Sequence, residues 1–245
     1  MRNIKLTIAY DGSAYHGWQI QTADLATVQA VLKDVIQHVV RHPVDLKGTS
    51  RTDAGVHADG QVANFSTDCE IPVDRLRLAI NSRCPRDIYI SQAEEVPVDF
   101  HASFTARSKL YRYRVYNGSD KPVHLINKVY HYWRELDVEK MAQAAAMLVG
   151  RHDFAGFASA SDRRGSSERT LLRCDVYRQG PEVIFEIEGD GFLYNMVRNI
   201  VGTLLEIGRG HWPIERIEQI LASRDRQQAG PTVPGAGLTL MWVKY

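Results

Sequence analysis

The densest capacity for chemistry lies between positions 48 and 65, Gly-Thr-Ser-Arg-Thr-Asp-Ala-Gly-Val-His-Ala-Asp-Gly-Gln-Val-Ala-Asn-Phe. Asp53 stands near the start of this stretch, with Arg51 two residues before it. A guanidinium beside a carboxylate favours the charged form. A carboxylate kept charged suits a nucleophile or an electrostatic stabiliser better than a general acid. The plainer reading is a hairpin connection that uses Asp-Ala-Gly and Ala-Asp-Gly as turns. A turn, however, needs only about two to five residues. It needs none of Arg51, Thr52 or His57.

Three other stretches carry groups of interest. From Phe100 to Arg114 the cations Arg107, Lys109, Arg112 and Arg114 alternate with Phe104, Tyr111 and Tyr113. Cations neutralise phosphates, and aromatic faces stack on bases splayed from single strands. In a strand, Tyr111 and Tyr113 share one face and Arg112 and Arg114 the other. The plainer reading is a sheet edge with solvated arginines and core tyrosines, and Tyr113 is assigned to that core. From Gly191 to Gly202, Leu193, Met196, Val197, Ile200 and Val201 form the stripe of a core helix, and Arg198 lies off that stripe. The third stretch is Tyr10 to Gln21, an aromatic and amide-rich loop whose plainer reading is a surface loop with Trp18 packed on the core. Arg163-Arg164-Gly165 reads as a basic loop, and Glu182, Glu186, Glu188 and Asp190 as a mostly solvated strand face. His38 and His42 have a spacing that can hold zinc, but no third ligand is evident.

The chain of 245 residues is 44% hydrophobic and 24% charged, enough for one large or two small cores. Its net charge of +1 announces no nucleic-acid partner by global field, so any basic footprint must be local. The three cysteines, Cys69, Cys84 and Cys174, include no Cys-x-x-Cys pair, which argues against a disulfide framework or a thiolate zinc site and fits a reducing cytoplasm. The N-terminus opens into a strand pattern without an apolar signal core, and no apolar run approaches a membrane span.

The elements that must position these residues follow from periodicity. Ile4, Leu6, Ile8 and Tyr10 alternate with polar neighbours as a half-buried strand. Thr27 caps a helix striped by Val28, Val31, Leu32, Val35, Ile36 and Val39. Short strands at 44–46 and 62–65 flank the Asp53 loop, followed by a helix near 73–82 and a strand at 88–90. The second half reads as a strand at 110–116, a helix at 138–149, strands at 171–177 and 183–188, helices at 193–207 and 214–221, and a strand at 238–243. The order gives an α+β fold of two tandem βαββαβ modules, each ferredoxin-like, over residues 1–104 and 105–245. The N-terminal module carries the Asp53 loop.

The run Arg51 to Ala58, followed by Gly60-Gln61-Val62, closely resembles the signature of the tRNA pseudouridine synthase A family. Gly191 to Gly202, the Tyr10–Gln21 loop and Pro234-Gly235-Ala236-Gly237-Leu238 are similar to further blocks of that family, so the resemblance covers nearly the whole chain. It implies that the two modules share a central antiparallel sheet with a cleft between them. It implies an isomerase that converts uridine to pseudouridine in the tRNA anticodon stem-loop. Asp53 would be the nucleophile, Tyr111 would pack on the target base near the proton leaving carbon 5, and Arg51 and Arg198 would support the aspartate. Substrate contacts would come from Tyr111, Trp18, Gln19, Arg107, Lys109 and Arg112. The family is homodimeric and needs no cofactor and no metal.

Three positions depart from the family pattern. Ser50 stands where a glycine is common, Ser103 where an arginine is usual, and Cys84 where a leucine is usual. The Ser103 change removes a cation near the RNA path and bears on backbone contacts rather than chemistry. Two other classes are consistent with parts of the pattern. A non-catalytic RNA-binding protein of two RRM-like modules would want aromatic pairs on mid-sheet strands and give Asp53 no role. A glycosidase would need two carboxylates roughly 5 to 9.5 Å apart, for which Asp53 and Asp59 are the only obvious pair.

Overall fold

The structure, a computed structural model, describes residues 1–21, 25–159 and 165–245. Arg163 and Arg164 lie outside these residues. In chain order the regular elements are β1 (Arg2–Tyr10), α1 (Val28–Val40), β2 (Lys47–Gly48), β3 (His57–Thr67), α2 (Val73–Asn81), β4 (Ile88–Val96) and β5 (Ser108–Tyr116). They continue as β6 (Tyr130–His131), α3 (Val138–Ala146), β7 (Gly150–Asp153), β8 (Glu168–Gln179), β9 (Glu182–Gly189), α4 (Met196–Gly208), α5 (Arg216–Ser223) and β10 (Leu238–Lys244). Two compact units emerge, residues 1–107 with 239–245, and residues 108–238.

The first unit has the expected βαββαβ order and adds β10. Its strands run β4-β1-β3-β10, with β2 paired to β3. In β1 the alternation Ile4, Leu6, Ile8 and Tyr10 is buried as the period of two requires. Helix α1 starts where Thr27 Oγ1 accepts the Ala30 N–H at 3.4 Å, and it buries Val28, Leu32, Ile36 and Val40. His42, just past the helix, spends both ring nitrogens on the Pro43 carbonyl and the Thr67 hydroxyl, each at 2.8 Å.

The second unit runs β5-β9-β8-β7, with β6 on β5. Helix α3 packs on β8 and on α4. The face of β5 and β9 carrying Tyr113, Val115, Val183, Phe185 and Ile187 is fully buried. The apolar stripe of α4 is buried from Met196 to Ile207.

Several boundaries differ from the sequence reading, each for a local reason. The units divide after residue 107 rather than 104, and the last strand belongs to the first unit. Strand β10 pairs with β3 in parallel, Thr239 opposite His57, and β6 pairs with β5 in parallel, so the pairing is not purely antiparallel. Parallel neighbours need a long crossover, and between β3 and β10 the whole second unit serves as one. Strand β3 begins at His57 rather than Val62 because polar His57 to Gln61 are paired to β1 and mostly buried. The first hairpin partner is Lys47–Gly48, after the apolar 44–46 run. The two-residue β6 and the four-residue β7 are too short to leave a periodic signal. Among the described residues no helix is long and apolar enough to cross a membrane.

Candidate active site

The loop from Thr49 to Val56 is fastened along its backbone. The Trp18 N–H donates to the Thr52 carbonyl at 3.0 Å, the Gly55 N–H to the Tyr15 carbonyl at 3.3 Å, and the Val56 N–H to the Asp53 carbonyl at 3.2 Å. Gln61, which is fully buried, grips the loop from β3: its Nε2 donates to the Ser50 carbonyl at 2.7 Å and its Oε1 accepts the Ser50 N–H at 3.2 Å. The Tyr10 and Thr52 hydroxyls lie 2.7 Å apart. The Thr49 and Tyr245 hydroxyls lie 2.6 Å apart, and each faces the Ala102 carbonyl at 2.8 Å. Gly17 sits at φ +93°, and a Cβ there would stand 2.4 Å from the Thr52 carbonyl oxygen. Only glycine permits both that conformation and that approach. Between these anchors Asp53 is half-buried and Arg51 is exposed. His57, at the loop's exit, accepts the Gly12 N–H on Nδ1 at 3.1 Å, with Asp11 Oδ1 3.2 Å away. That ring is part of the frame linking β3 to the turn after β1.

The second unit prepares its residues differently. Tyr111, 8% exposed, lies on β5 opposite Ile187, and Phe192 meets its ring edge-on with centroids 5.1 Å apart. Six residues beyond Phe192, Arg198 projects from the first turns of α4. Its Nε donates to the Val233 carbonyl at 2.7 Å and its Nη1 to Asn195 Oδ1 at 2.9 Å. The next carbonyl, Pro234, accepts the Tyr113 hydroxyl at 2.7 Å. Burial pushes the Tyr113 phenol above its ordinary range, and the Arg198 guanidinium nearby partly offsets this.

Of the sequence-derived site residues, Arg51 and Asp53 therefore sit together in the first unit, and Tyr111 and Arg198 are tied to common segments of the second. Gln19 is half-buried between residues whose backbone Gln29 clamps, its Oε1 accepting the Ile20 N–H at 2.9 Å. Arg107 is exposed at the end of the first unit, its N–H donating to the Lys244 carbonyl at 2.8 Å, and Lys109 is half-buried on β5. Two expected substrate contacts are corrected. Trp18 is 1% exposed, with Tyr10 6.0 Å away and stacked on it, so it is a core residue. Arg112 lies on the strand face opposite Tyr111, and its Nε donates to Glu186 Oε1 at 2.9 Å. Arg173 Nη2 takes the other oxygen of Glu186 at 2.6 Å. Glu186 is itself 5% exposed, so this part of the strand is not the solvated acidic face expected. Arg114 is likewise held by both oxygens of Glu182 at 2.7 Å. The sequence reading missed the residues that hold the others, namely Gln61, Phe192, Asn195 and Val233. Their roles depend on backbone conformation and pairing, which residue type does not display.

A family profile described as tRNA pseudouridine synthase matches residues 6–105 and 144–245, which include Arg51, Asp53 and Arg198 and leave Tyr111 in the gap. A tRNA pseudouridine synthase A of Acetivibrio thermocellus is 48% identical over 245 residues, the whole length of both chains. Another, of Halalkalibacterium halodurans, is 46% identical over 97% of this chain and 90% of its own. A tRNA pseudouridine synthase A 2 of Clostridium perfringens is 44% identical over the full length of both. The chain belongs to the tRNA pseudouridine synthase family.

Proposed function

We propose that the protein isomerises uridine to pseudouridine in tRNA, within the anticodon stem-loop, with Asp53 as nucleophile. The observation that carries this reading is the Asp53 loop itself, clamped at Ser50, Thr52 and Gly55 so that the carboxyl group is presented half-buried between fixed anchors. Full-length similarity to tRNA pseudouridine synthases supports it. The target nucleotide leaves its stack to reach the carboxylate, which costs a few kcal/mol and is cheapest at loop ends. Asp53 attacks carbon 6 of the uracil or carbon 1′ of the ribose. The bond from carbon 1′ to N1 breaks, the uracil turns, and carbon 5 bonds to carbon 1′. Carbon 5 then loses its proton, N1 gains one, and the carboxylate is released unchanged. Tyr111 packs on the base near the departing proton, Arg51 supplies positive charge to the aspartate, and Arg198 serves as a further catalytic arginine. Gln19, Arg107 and Lys109 contribute to holding the RNA. The reaction is redox-neutral and transfers no external group, so it calls for no cofactor.

The reading carries with it a homodimer in the cytoplasm, a compartment with which the free thiols of Cys69, Cys84 and Cys174 accord. Light scattering of the purified protein tests the dimer. The central test is release of tritium from tRNA labelled at carbon 5 of uridine. Asp53→Ala is expected to abolish release and retain tRNA binding. Normal release by that variant sinks the assignment, and free uracil among the products would point to glycosidase chemistry instead.

A further inference from the structure

We infer that Asn195 is a positioning residue for Arg198, part of a polar cradle in the second unit that aims the guanidinium; the inference rests on the catalytic role proposed for Arg198. The starting observation is conformational. Asn195 immediately precedes α4 and has φ 61°, ψ 6°, the left-handed region. Side chains rarely adopt that region, and asparagine does so more readily than most. An asparagine preceding a helix ordinarily accepts one of the helix's first N–H groups. Asn195 makes no such bond. Its side chain is turned to two other partners: Oδ1 accepts Arg198 Nη1 at 2.9 Å, and Nδ2 donates to Ser159 Oγ at 2.8 Å. The amide is thereby fixed in one orientation, oxygen toward the guanidinium. Ser159 is fixed in turn, its N–H donating to the Tyr194 carbonyl at 3.0 Å.

The other side of the guanidinium is set by the Val233 carbonyl, and that carbonyl is also built in. One helical turn after Asn195, fully buried Asn199 accepts the Thr232 hydroxyl at 2.6 Å and Arg226 Nη2 at 3.0 Å on its Oδ1, and donates to the Phe157 carbonyl at 2.8 Å. Tyr113 holds the Pro234 carbonyl from β5. The Thr232–Pro234 segment is thus pinned on both flanks of Val233, and β5 carries Tyr111 two residues before Tyr113. A planar guanidinium held at Nε and at Nη1 by acceptors fixed independently of it has its remaining N–H directions determined. Preorganised donors of this kind lower a barrier because they need no reorganisation as charge develops. The left-handed backbone at Asn195 costs stability and makes no helix cap. The return is the aim of Arg198.

The discriminating variant is Asn195→Gly in the full chain. Glycine accepts φ 61° without strain, so a purely conformational role would leave this variant as active as the parent. The expected result is an unchanged or higher Tm, unchanged KM for tRNA and a kcat lower by about tenfold or more, since misplacing a catalytic group by about an ångström costs up to about a hundredfold. Asn195→Asp keeps the acceptor oxygen and is expected to recover most of the lost kcat. Wild-type kcat in Asn195→Gly overturns the inference, as does a loss of kcat matched by a fall in Tm. Arg198→Ala run in parallel separates the two levels of the argument. If it turns over normally, the role of Arg198 falls and the positioning role with it; if it is inactive while Asn195→Gly is unaffected, only the positioning role falls.

Discussion

The two units hold their candidate site residues by different means. In the first, Asp53 rides on a loop whose fastenings are mostly main-chain: the bonds at Thr52, Gly55 and Val56 use backbone groups at both ends, and Gln61 reaches a backbone N–H and carbonyl. In the second, Arg198 extends from a rigid helix and is aimed by a side-chain amide and a pinned carbonyl. A short carboxylate leaves little freedom once its backbone is placed, so clamping the chain is sufficient. A long arginine side chain carries about 2 kcal/mol of rotamer entropy, and placing its backbone settles little. The two units should therefore fail differently: the first through changes to backbone space, the second through loss of a side-chain partner with the fold intact.

The largest expected effect is Gly17→Ala. Its new Cβ would meet the Thr52 carbonyl at 2.4 Å at a positive φ, so the Asp53 loop has to move. A loss of about 2–4 kcal/mol in stability is expected, with turnover reduced beyond what the folded fraction explains. Denaturant melts and single-turnover assays check both, and a Gly17→Ala protein with full activity would break the comparison. Next is Gln61→Leu, which fills the same space and leaves the Ser50 N–H and carbonyl without their partner. About 2–3 kcal/mol is expected from these buried groups, again with loss of turnover. In the second unit Tyr113→Phe removes only the bond to the Pro234 carbonyl. Stability should fall by about 1 kcal/mol, and kcat should fall with KM unchanged, because the Thr232–Pro234 segment that holds Arg198 loses one of its anchors.

The smallest effect is read by pH. Burial raises the Tyr245 phenol from 10.0 to about 12, against a lowering by the Thr49 hydroxyl. The folded state thus favours the neutral phenol. That contribution is complete below about pH 10 and is lost as pH rises toward 12. Tyr113 shifts in the same direction. Melting temperature should decline between about pH 10 and 12, and Tyr245→Phe should flatten part of that decline; an unchanged slope would remove Tyr245 from the account.

Much of this architecture could be read from the residues before any coordinates. The alternation Ile4–Tyr10, the Thr27 cap and the α4 stripe each state a local preference that tertiary packing agrees with. The Arg51–Ala58 run located the loop that the fold clamps. What could not be read depends on pairing at a distance. Polar His57 to Gln61 look like loop until β1 is laid beside them. Arg112 looks like a phosphate ligand until Glu186, which is 74 residues away, faces it across the β5–β9 ladder. Trp18 is open to two readings, core packing or substrate contact, until the backbone of 49–56 closes over its loop and buries it. The left-handed turn at Asn195 leaves no compositional trace, since asparagine is equally ordinary as a helix cap.

The membership of β10 in the first unit has a consequence for biosynthesis. Residues 239–245 leave the ribosome only after the entire second unit has been made. Until then β3 lacks its parallel neighbour, and the Thr49 hydroxyl lacks a partner that lies 196 positions downstream. Nascent chains interrupted anywhere before the last strand would carry the Asp53 loop without that buttress. Vectorial synthesis thereby couples the bracing of the Asp53 loop to the emergence of β10.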